Sequence, residues 1–456
     1  MKKFDVLVVG AGQAGPALAR QLAGKGQKVA VAEGNRVGGS CVNYGCTPSK
    51  TIIASAKAIH TARRGEEFGF HTDKITVDFP RVMQRQRDIV SAMRESGEKR
   101  MNETKNLAFF PAYAKFESAN TMRVGDEVVE AERIYLNIGA RATIPPIEGL
   151  DEIDYLTNES ILDLNELPRH LIILGGGYIS MEYGQAFRRL GSDVTVIDTA
   201  PHILNREDED ISQAVQDILA GEGIRFMLEH KAVRVEQRDA NIVVHVEGKG
   251  EAATISGSHL LVAVGRTPNS DKLNVENAGL KLDDKGFITV DNHLKTNLDH
   301  VYVLGEANGR GAFTHTAYND YEIALDNING GKRKVSDRIP TYGVFVDPPL
   351  GRVGMSEREA RESDHDVLMG VMPMKDINRA VEFAQTDGLM KVLVDAKTER
   401  ILGAAVLGIG GDEVIHAITT LMYARAPYTV MQNAVHIHPT ISELLPTLLQ
   451  DLKPLK

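Results

Sequence analysis

The sequence predicts an α/β fold in which one strand–turn–helix–strand unit is used twice and a separate domain that opens on a β-rich stretch follows. Three observations carry this. A β-rich run ending in a glycine-rich turn occurs near the start and recurs 165 positions later. Each copy leads into apolar residues at helical spacing and then into a second short apolar run. A new β-rich stretch, Val344-Phe345-Val346-Asp347-Pro348-Pro349, opens after Pro340.

In the first copy, Phe4-Asp5-Val6-Leu7-Val8-Val9 stops at Gly10, as a buried strand does. Gly10-Ala11-Gly12-Gln13-Ala14-Gly15 is followed by Leu18 and Leu22 at helical spacing, and Lys28-Val29-Ala30-Val31-Ala32 ends at Glu33. In the second copy, Leu171-Ile172-Ile173-Leu174 leads into Gly175-Gly176-Gly177-Tyr178-Ile179-Ser180, and Val194-Thr195-Val196-Ile197 ends at Asp198. Gly10, Gly12, Gly15 and Glu33 thus correspond to Gly175, Gly177, Ser180 and Asp198, and each acid lies 23 residues after its first glycine.

This spacing fits the βαβ dinucleotide fingerprint. The first glycine makes the tight turn, and the second lets backbone approach a pyrophosphate at the helix N-terminus. The third allows close helix–strand packing, and the acid hydrogen-bonds a ribose diol. Ser180 departs from the usual Gly or Ala, which predicts slightly looser packing. Two dinucleotide sites on one chain suggest a relay, with a nicotinamide cofactor giving hydride to a flavin. Asp198 would accept from a free 2′-hydroxyl and repel a 2′-phosphate, favouring NAD(H) over NADP(H). Arg188, Arg189 and Arg206 lie close enough in sequence to weigh on the other side.

A length of 456 residues predicts two to four domains. A net charge of -10 disfavours nucleic acid and anionic membranes as partners. The acidic run Glu207-Asp208-Glu209-Asp210 reads as a solvated helix start. No apolar run approaches the ~20 residues of a membrane span, and the N-terminus reads as a strand, not a signal peptide. A cytoplasmic location is the expectation.

The only two cysteines are Cys41 and Cys46, too few for a secreted disulfide scaffold and too few for structural zinc without further ligands nearby. They sit in Gly38-Gly39-Ser40-Cys41-Val42-Asn43-Tyr44-Gly45-Cys46-Thr47-Pro48-Ser49-Lys50. Pro48 suits a first helical turn, and Ile52, Ile53, Ala56 and Ile59 repeat at helical spacing. Both thiols are therefore expected at or just before a helix N-terminus, where the dipole and Lys50 would lower their pKa. The plainer alternative is two buried cysteines acting as small hydrophobes.

With the two fingerprints and the C-x4-C segment followed by Pro-Ser-Lys, the whole chain resembles the pyridine nucleotide–disulfide oxidoreductases, the group of dihydrolipoamide dehydrogenase, glutathione reductase and mercuric reductase. The resemblance implies two Rossmann-like domains, for FAD and NAD, and a C-terminal α+β dimerisation domain. By it, Cys41 is the interchange thiol that meets substrate and Cys46 the thiol against the flavin. Lys50 would lie beside flavin N5, paired with Glu182. Gly39 and Ser40 fall among the cofactor-contacting positions. Segments around Gly139 and Gly265 look like those that close the two nucleotide domains. Thr296 through Gly305-Glu306 resembles a second FAD motif that usually ends Gly-Asp, so Glu306 would offer the same acceptor on a longer arm. Ala114 falls where the family contacts adenine through backbone, and His315 lies in a segment placed near the flavin.

Near the C-terminus, His436-Ile437-His438-Pro439-Thr440-Ile441-Ser442-Glu443 precedes a last helical pattern. A thiolate relay needs a group that exchanges a proton near neutral pH, and histidine does this best. The resemblance makes His438 that acid–base, oriented by Glu443, acting on the disulfide of the other subunit of a homodimer, with His436 structural.

The implied boundaries are 1–148 and 268–338 for the FAD domain, 149–267 for the NAD domain and 339–456 for dimerisation. The expected activity passes electrons from NADH through FAD and the Cys41–Cys46 disulfide to a small or lipoyl-type disulfide, or runs in reverse. Lipoamide-type chemistry is favoured. Mercuric-reductase-like or other metal or quinone reduction is the alternative, although no further cysteine exists to capture Hg(II). A non-catalytic flavin-binding subunit is the second alternative, given Ser180 and Glu306.

Overall fold

A computed structural model describes residues 1–248 and 252–455. Its first sheet orders the strands Leu107–Phe110, Val29–Ala32, Lys2–Val9 and Glu127–Leu136, all parallel. Glu127–Leu136 is long enough to serve two neighbours. Its start pairs antiparallel with Thr121–Val124 and its end pairs parallel with Val301–Val303, a strand returning from much later in the chain. The second repeat builds a four-stranded parallel sheet from Arg225–Met227, Asp193–Ile197, His170–Leu174 and His259–Val262. A three-stranded antiparallel sheet, His230–Arg238, Asn241–Gly248 and Ala253–Gly257, packs against it.

The unbroken apolar runs explain the parallel sheets. Val6, Leu7 and Val8 are fully buried, as are Leu171, Ile172 and Ile173, because both faces of such sheets are covered. Where the chain leaves and re-enters the first domain, Ala140–Ala142 pairs antiparallel with Arg266–Pro268. The segments read from sequence as domain closures therefore meet each other.

The C-terminal domain is a six-stranded antiparallel sheet, Thr341–Val344, Leu350–Gly354, Ile401–Leu407, Leu389–Asp395, Val367–Pro373 and Lys453–Pro454. Helix Gly411–Tyr423 buries Val414, Ile415 and Ile418 in the core beneath it. One apolar cluster joins the three parts. Ile52 and Ala56 of helix Cys46–Arg63 pack with Tyr183 and Phe187 of helix Tyr178–Leu190 and with Val344, Val346 and Leu407. The architecture is the α/β one expected.

The acidic run departs from expectation. It does start a helix, Glu209–Gly221, but only its second half is solvated. The side chains of Glu207 and Asp208 are buried against Arg352, and Asp208 also lies near Lys391. Charge in this run is used for attachment to the C-terminal domain. Among the described residues no helix is long and apolar enough to cross a membrane.

Candidate active site

The two glycine turns are built alike. Gly10 has φ +100°, and a Cβ there would fall 2.2 Å from the Asn137 carbonyl oxygen, so only glycine fits. Asn137, which sequence reasoning missed, ties the turn together. Its Oδ1 accepts from Gly15 N at 3.0 Å and its Nδ2 donates to Leu304 O at 3.0 Å, linking the first turn to the later strand Val301–Val303. Glu33 accepts from Ala11 N at 2.8 Å and Asn35 N at 2.7 Å. In the second turn Asp198 accepts from Gly176 N and from Ala200 N.

Helices Gly15–Gly24 and Tyr178–Leu190 both begin without a side-chain cap, Gly177 being the N-cap of the second. In the second helix the first N–H groups take no side-chain cap, whereas in the first Gly15 N is given to Asn137 and Pro16 has no N–H, so donors there begin at Ala17; a pyrophosphate oxygen is the acceptor such ends prefer. The donor sets and the acids at the strand ends therefore fit two dinucleotides. Ser180 is fully buried, and its Oγ finds no partner among the described residues. The arginines near Asp198 in sequence mostly point elsewhere. Arg189 is buried on Glu222 and Asp347, and Arg188 bonds Glu222 O and Asp193. Arg206 alone of the three is exposed.

Gly39 opens the short helix Gly39–Asn43 with φ +58°, and a Cβ there would meet Gly12 Cα at 2.8 Å. The cysteine segment is thereby seated on the first glycine turn, with Ser40 exposed beside Cys41. Cys41 lies inside this short helix, while Cys46 is the first residue of helix Cys46–Arg63. Pro48 falls in that helix's first turn, as its fixed φ predicts.

The two thiols do not behave alike, contrary to the expectation that both are acidified. A hydrogen bond from Cys41 pulls Cys46 down to about 6 against the opposing effect of burial, with Thr314 and the charge of Lys50 adding to it. The same hydrogen bond, together with burial, drives Cys41 up. Both effects favour thiolate at the sulfur that opens the helix, which lies 3.3 Å from Thr314 Oγ1. No local sequence signal marks Thr314, which comes from 268 residues away.

Lys50 Nζ meets Glu182 Oε2 at 2.5 Å, and Glu182 is 3% exposed. The other carboxylate oxygen accepts from Phe345 N at 2.9 Å. Phe345 was legible in the sequence only as part of a strand-like stretch.

His438 Nδ1 lies 2.9 Å from Glu443 Oε2, and the imidazole is largely exposed. Val435 and Ile437 on the same loop are 100% and 80% exposed. No hydrogen bond among the described residues joins His438 to either sulfur. His436 turns its Nε2 inward, where it finds no partner among the described residues.

Glu306 differs in detail from expectation. Its longer arm reaches Arg266, whose Nε donates to Oε1 at 2.6 Å, so one carboxylate oxygen is already engaged. The N–H of Gly305 is held by buried Asp320 at 2.8 Å. Gly139 O accepts from Asn269 N and Gly265 O from Thr143 N, stitching the domain crossover. Ala114 begins the buried strand Ala114–Phe116. His315 stacks on Phe313 and bonds Thr341 O at 2.6 Å. A cavity of about 550 Å³ opens beside it, lined by Thr314, Tyr318, Glu322, Arg338 and Tyr423 among others.

Comparison with known proteins agrees with this geometry. The family model described as pyridine nucleotide-disulphide oxidoreductase matches residues 4–320, and that of the family's dimerisation domain matches residues 340–449. The chain is 35% identical to the probable pyridine nucleotide-disulfide oxidoreductase RclA of Escherichia coli, covering 98% of each. It is 30% identical to a dihydrolipoyl dehydrogenase of Haloferax volcanii, covering 96% of this chain and 94% of that protein. It is 33% identical to a mercuric reductase of Bacillus cereus, covering 95% of this chain and 70% of that protein. A Cu(II) complex of the HOCl-induced flavoprotein disulfide reductase RclA from Escherichia coli superposes with a TM-score of 0.90 at 34% identity, covering 99% of each chain. Family models and relatives alike run the length of the chain, so this protein belongs to the pyridine nucleotide-disulphide oxidoreductases and is an oxidoreductase enzyme that uses FAD and NAD(P)H.

Proposed function

We propose that this enzyme is an NADH-linked dithiol/disulfide oxidoreductase in which Cys41 and Cys46 stand between the flavin and a small or lipoyl-type substrate. The observation that carries the reading is the seat of the cysteine pair: Cys46 opens helix Cys46–Arg63, 3.3 Å from Thr314 Oγ1, with the Lys50–Glu182 pair one turn on, a setting that favours thiolate there. FAD held here would supply the two-electron chemistry that links a nicotinamide hydride to the sulfur pair.

In this reading the glycine turns at Gly10, Gly12 and Gly15 and at Gly175, Gly177 and Ser180 cradle the two pyrophosphates, and Glu33 and Asp198 accept from ribose hydroxyls. The engagement of Arg188 and Arg189 elsewhere supports NAD(H) over NADP(H). Gly39, Ser40, Ala114, Gly139, Gly265, Gly305 and Glu306 would complete the cofactor contacts, and Lys50, braced by Glu182, would offer a positive charge to the flavin. Cys46 faces the flavin, and Cys41 exchanges with substrate. When the Cys41–Cys46 disulfide accepts two electrons, Cys46 leaves as thiolate and Cys41 takes up a proton. Glu443 holds Nδ1 of His438, leaving Nε2 to take the Cys41 proton across the dimer as Cys41 attacks a substrate disulfide and to return it to the first substrate sulfur released. The Cys46 thiolate then attacks Cys41 in the mixed disulfide, re-forming the Cys41–Cys46 bond and releasing the second substrate sulfur. Residues 1–148 and 268–338, 149–267 and 339–456 would be the FAD, NAD and dimerisation domains, in a cytoplasmic enzyme.

The bonded His438–Glu443 pair favours a disulfide or dithiol substrate, and the dihydrolipoyl dehydrogenase relatives favour a lipoyl type. A second reading, reduction of a metal ion, is favoured by the mercuric reductase relatives and by the Cu(II) complex of RclA. With no cysteine beyond 41 and 46, any such ion would have to be reduced at this one pair.

A steady-state panel with NADH or NAD⁺ tests the reading, using lipoamide, dihydrolipoamide, glutathione disulfide, Hg(II), Cu(II) and a quinone. Turnover of lipoamide that is lost in Cys41→Ser and Cys46→Ser is the expected result. Turnover of Cu(II) or quinone with lipoamide inert would replace the substrate, and turnover indifferent to both cysteines would overturn the relay. A flavin-binding subunit without catalysis would turn over nothing.

A further inference from the structure

Lys50 is contacted from three parts of the chain at once. It rises from helix Cys46–Arg63, its Nζ bonds Glu182 of helix Tyr178–Leu190, and the same Nζ lies 4.6 Å from the ring centroid of Phe345 in the C-terminal domain. Phe345 acts twice. Its backbone N–H donates to Glu182 Oε1 at 2.9 Å, and its ring turns toward the ammonium that Glu182 Oε2 holds. Two residues on, Asp347 is fastened to the same two helices. It meets Lys57 Nζ at 2.8 Å and Arg189 Nη1 at 2.6 Å, and its N–H donates to Gln185 Oε1 at 2.7 Å. The Phe345 ring therefore cannot drift independently of the helices that carry Lys50 and Glu182.

We infer that Phe345 is a positioning residue for the redox site: its aromatic face, brought in from the C-terminal domain, fixes the Lys50 ammonium at the start of the cysteine helix. The inference rests on the reading of Lys50 as part of the redox site. The physical basis is a cation–π contact between the Lys50 ammonium and the face of the Phe345 ring. An aliphatic side chain of similar size would fill the same space without holding the charge. The readout is Cys46, because the charge of Lys50 is among the causes that keep its thiol acidic.

The test uses full-length holoenzyme carrying Cys41→Ser, in which Cys46 is the only thiol. The pH profile of its alkylation by iodoacetamide gives the apparent pKa. Pentafluorophenylalanine at position 345 keeps the ring's shape and removes the negative face, so folding is not at issue. It is expected to move the profile upward by about half a pH unit, the order that partial loss of one such contact allows. Phe345→Leu should do the same, and Phe345→Tyr should restore the original profile. Lys50→Met, made in parallel, should move the profile further. An unchanged profile with the fluorinated ring, while Lys50→Met shifts it, overturns the role of Phe345. No shift with Lys50→Met would mean that the reading of Lys50 itself is wrong.

Discussion

The imidazole of His438 turns its Nδ1 onto Glu443, 2.9 Å from Oε2, and leaves the rest of its ring outside the subunit that carries it. The pair is assembled within one chain, yet no hydrogen bond joins it to that chain's own sulfurs. If the proton at Nε2 serves the partner's disulfide, His438→Ala should cut disulfide turnover by roughly a hundredfold or more, the scale of general acid–base catalysis. Glu443→Gln should cost roughly tenfold, since it loosens the ring's orientation without removing the base. Single-turnover reduction by NADH, which ends at the cysteines, should be little changed in either variant. Stopped-flow measurement separates the two half-reactions.

Sharing of the site across a dimer gives a complementation test. Cys46→Ser and His438→Ala subunits, each inactive alone, should recover about a quarter of wild-type activity when unfolded and refolded as an equimolar mixture, because half the dimers are mixed and each has one intact site. A site complete within one subunit would recover nothing. The exposed Val435 and Ile437 predict where the subunits meet. Ile437→Asp should shift sedimentation toward monomer and abolish turnover together.

The pH dependence follows from the division of charge between the sulfurs. Cys46 is pulled down to about 6 chiefly by the hydrogen bond from Cys41, which is itself pushed up. Thiolate at Cys46 is therefore present above about pH 6 and lost as pH falls through that value. In the reduced enzyme, alkylation of Cys46 by iodoacetamide should slow about tenfold for each pH unit below the midpoint. Cys41→Ala should move that midpoint upward, because the donor that is the leading cause is gone. Peptide mapping of the alkylated protein reports both.

Asp347 joins the cysteine helix to the C-terminal domain through Lys57 and to helix Tyr178–Leu190 through Arg189. Burial pushes its carboxyl upward, but the charges of Arg189 and Lys57 and their hydrogen bonds outweigh that and hold it below the ordinary carboxylate range. A depressed carboxylate stabilises the fold above its unfolded pKa, about 4, and loses that contribution as pH falls through the lower folded value. Asp347→Asn leaves Arg189 buried without its full countercharge and should cost about 3–5 kcal/mol at neutral pH. The Tm gap between wild type and variant should narrow steadily below about pH 4. A gap independent of pH would assign the loss to packing instead of charge.

Much of this protein is written in short stretches of chain. The glycine turns, the acids that follow them, the cysteine pair with its helix start and the His438–Glu443 spacing are all local, since backbone torsion, strand length and helix periodicity are set within a few residues. The long-range partners are not legible in that way. Asn137 clasps the first turn, Thr314 reaches Cys46, and Phe345 meets Lys50 only because the sheet returns at Val301–Val303 and the C-terminal domain packs on two helices. The same holds for Glu207 and Asp208, whose side chains are buried against Arg352 where no local pattern announces it, and for the unequal acidity of Cys41 and Cys46. Electrostatics and burial depend on distances in space, so sequence determined which groups this enzyme has, and tertiary packing decided which of them carry charge and what holds them in place.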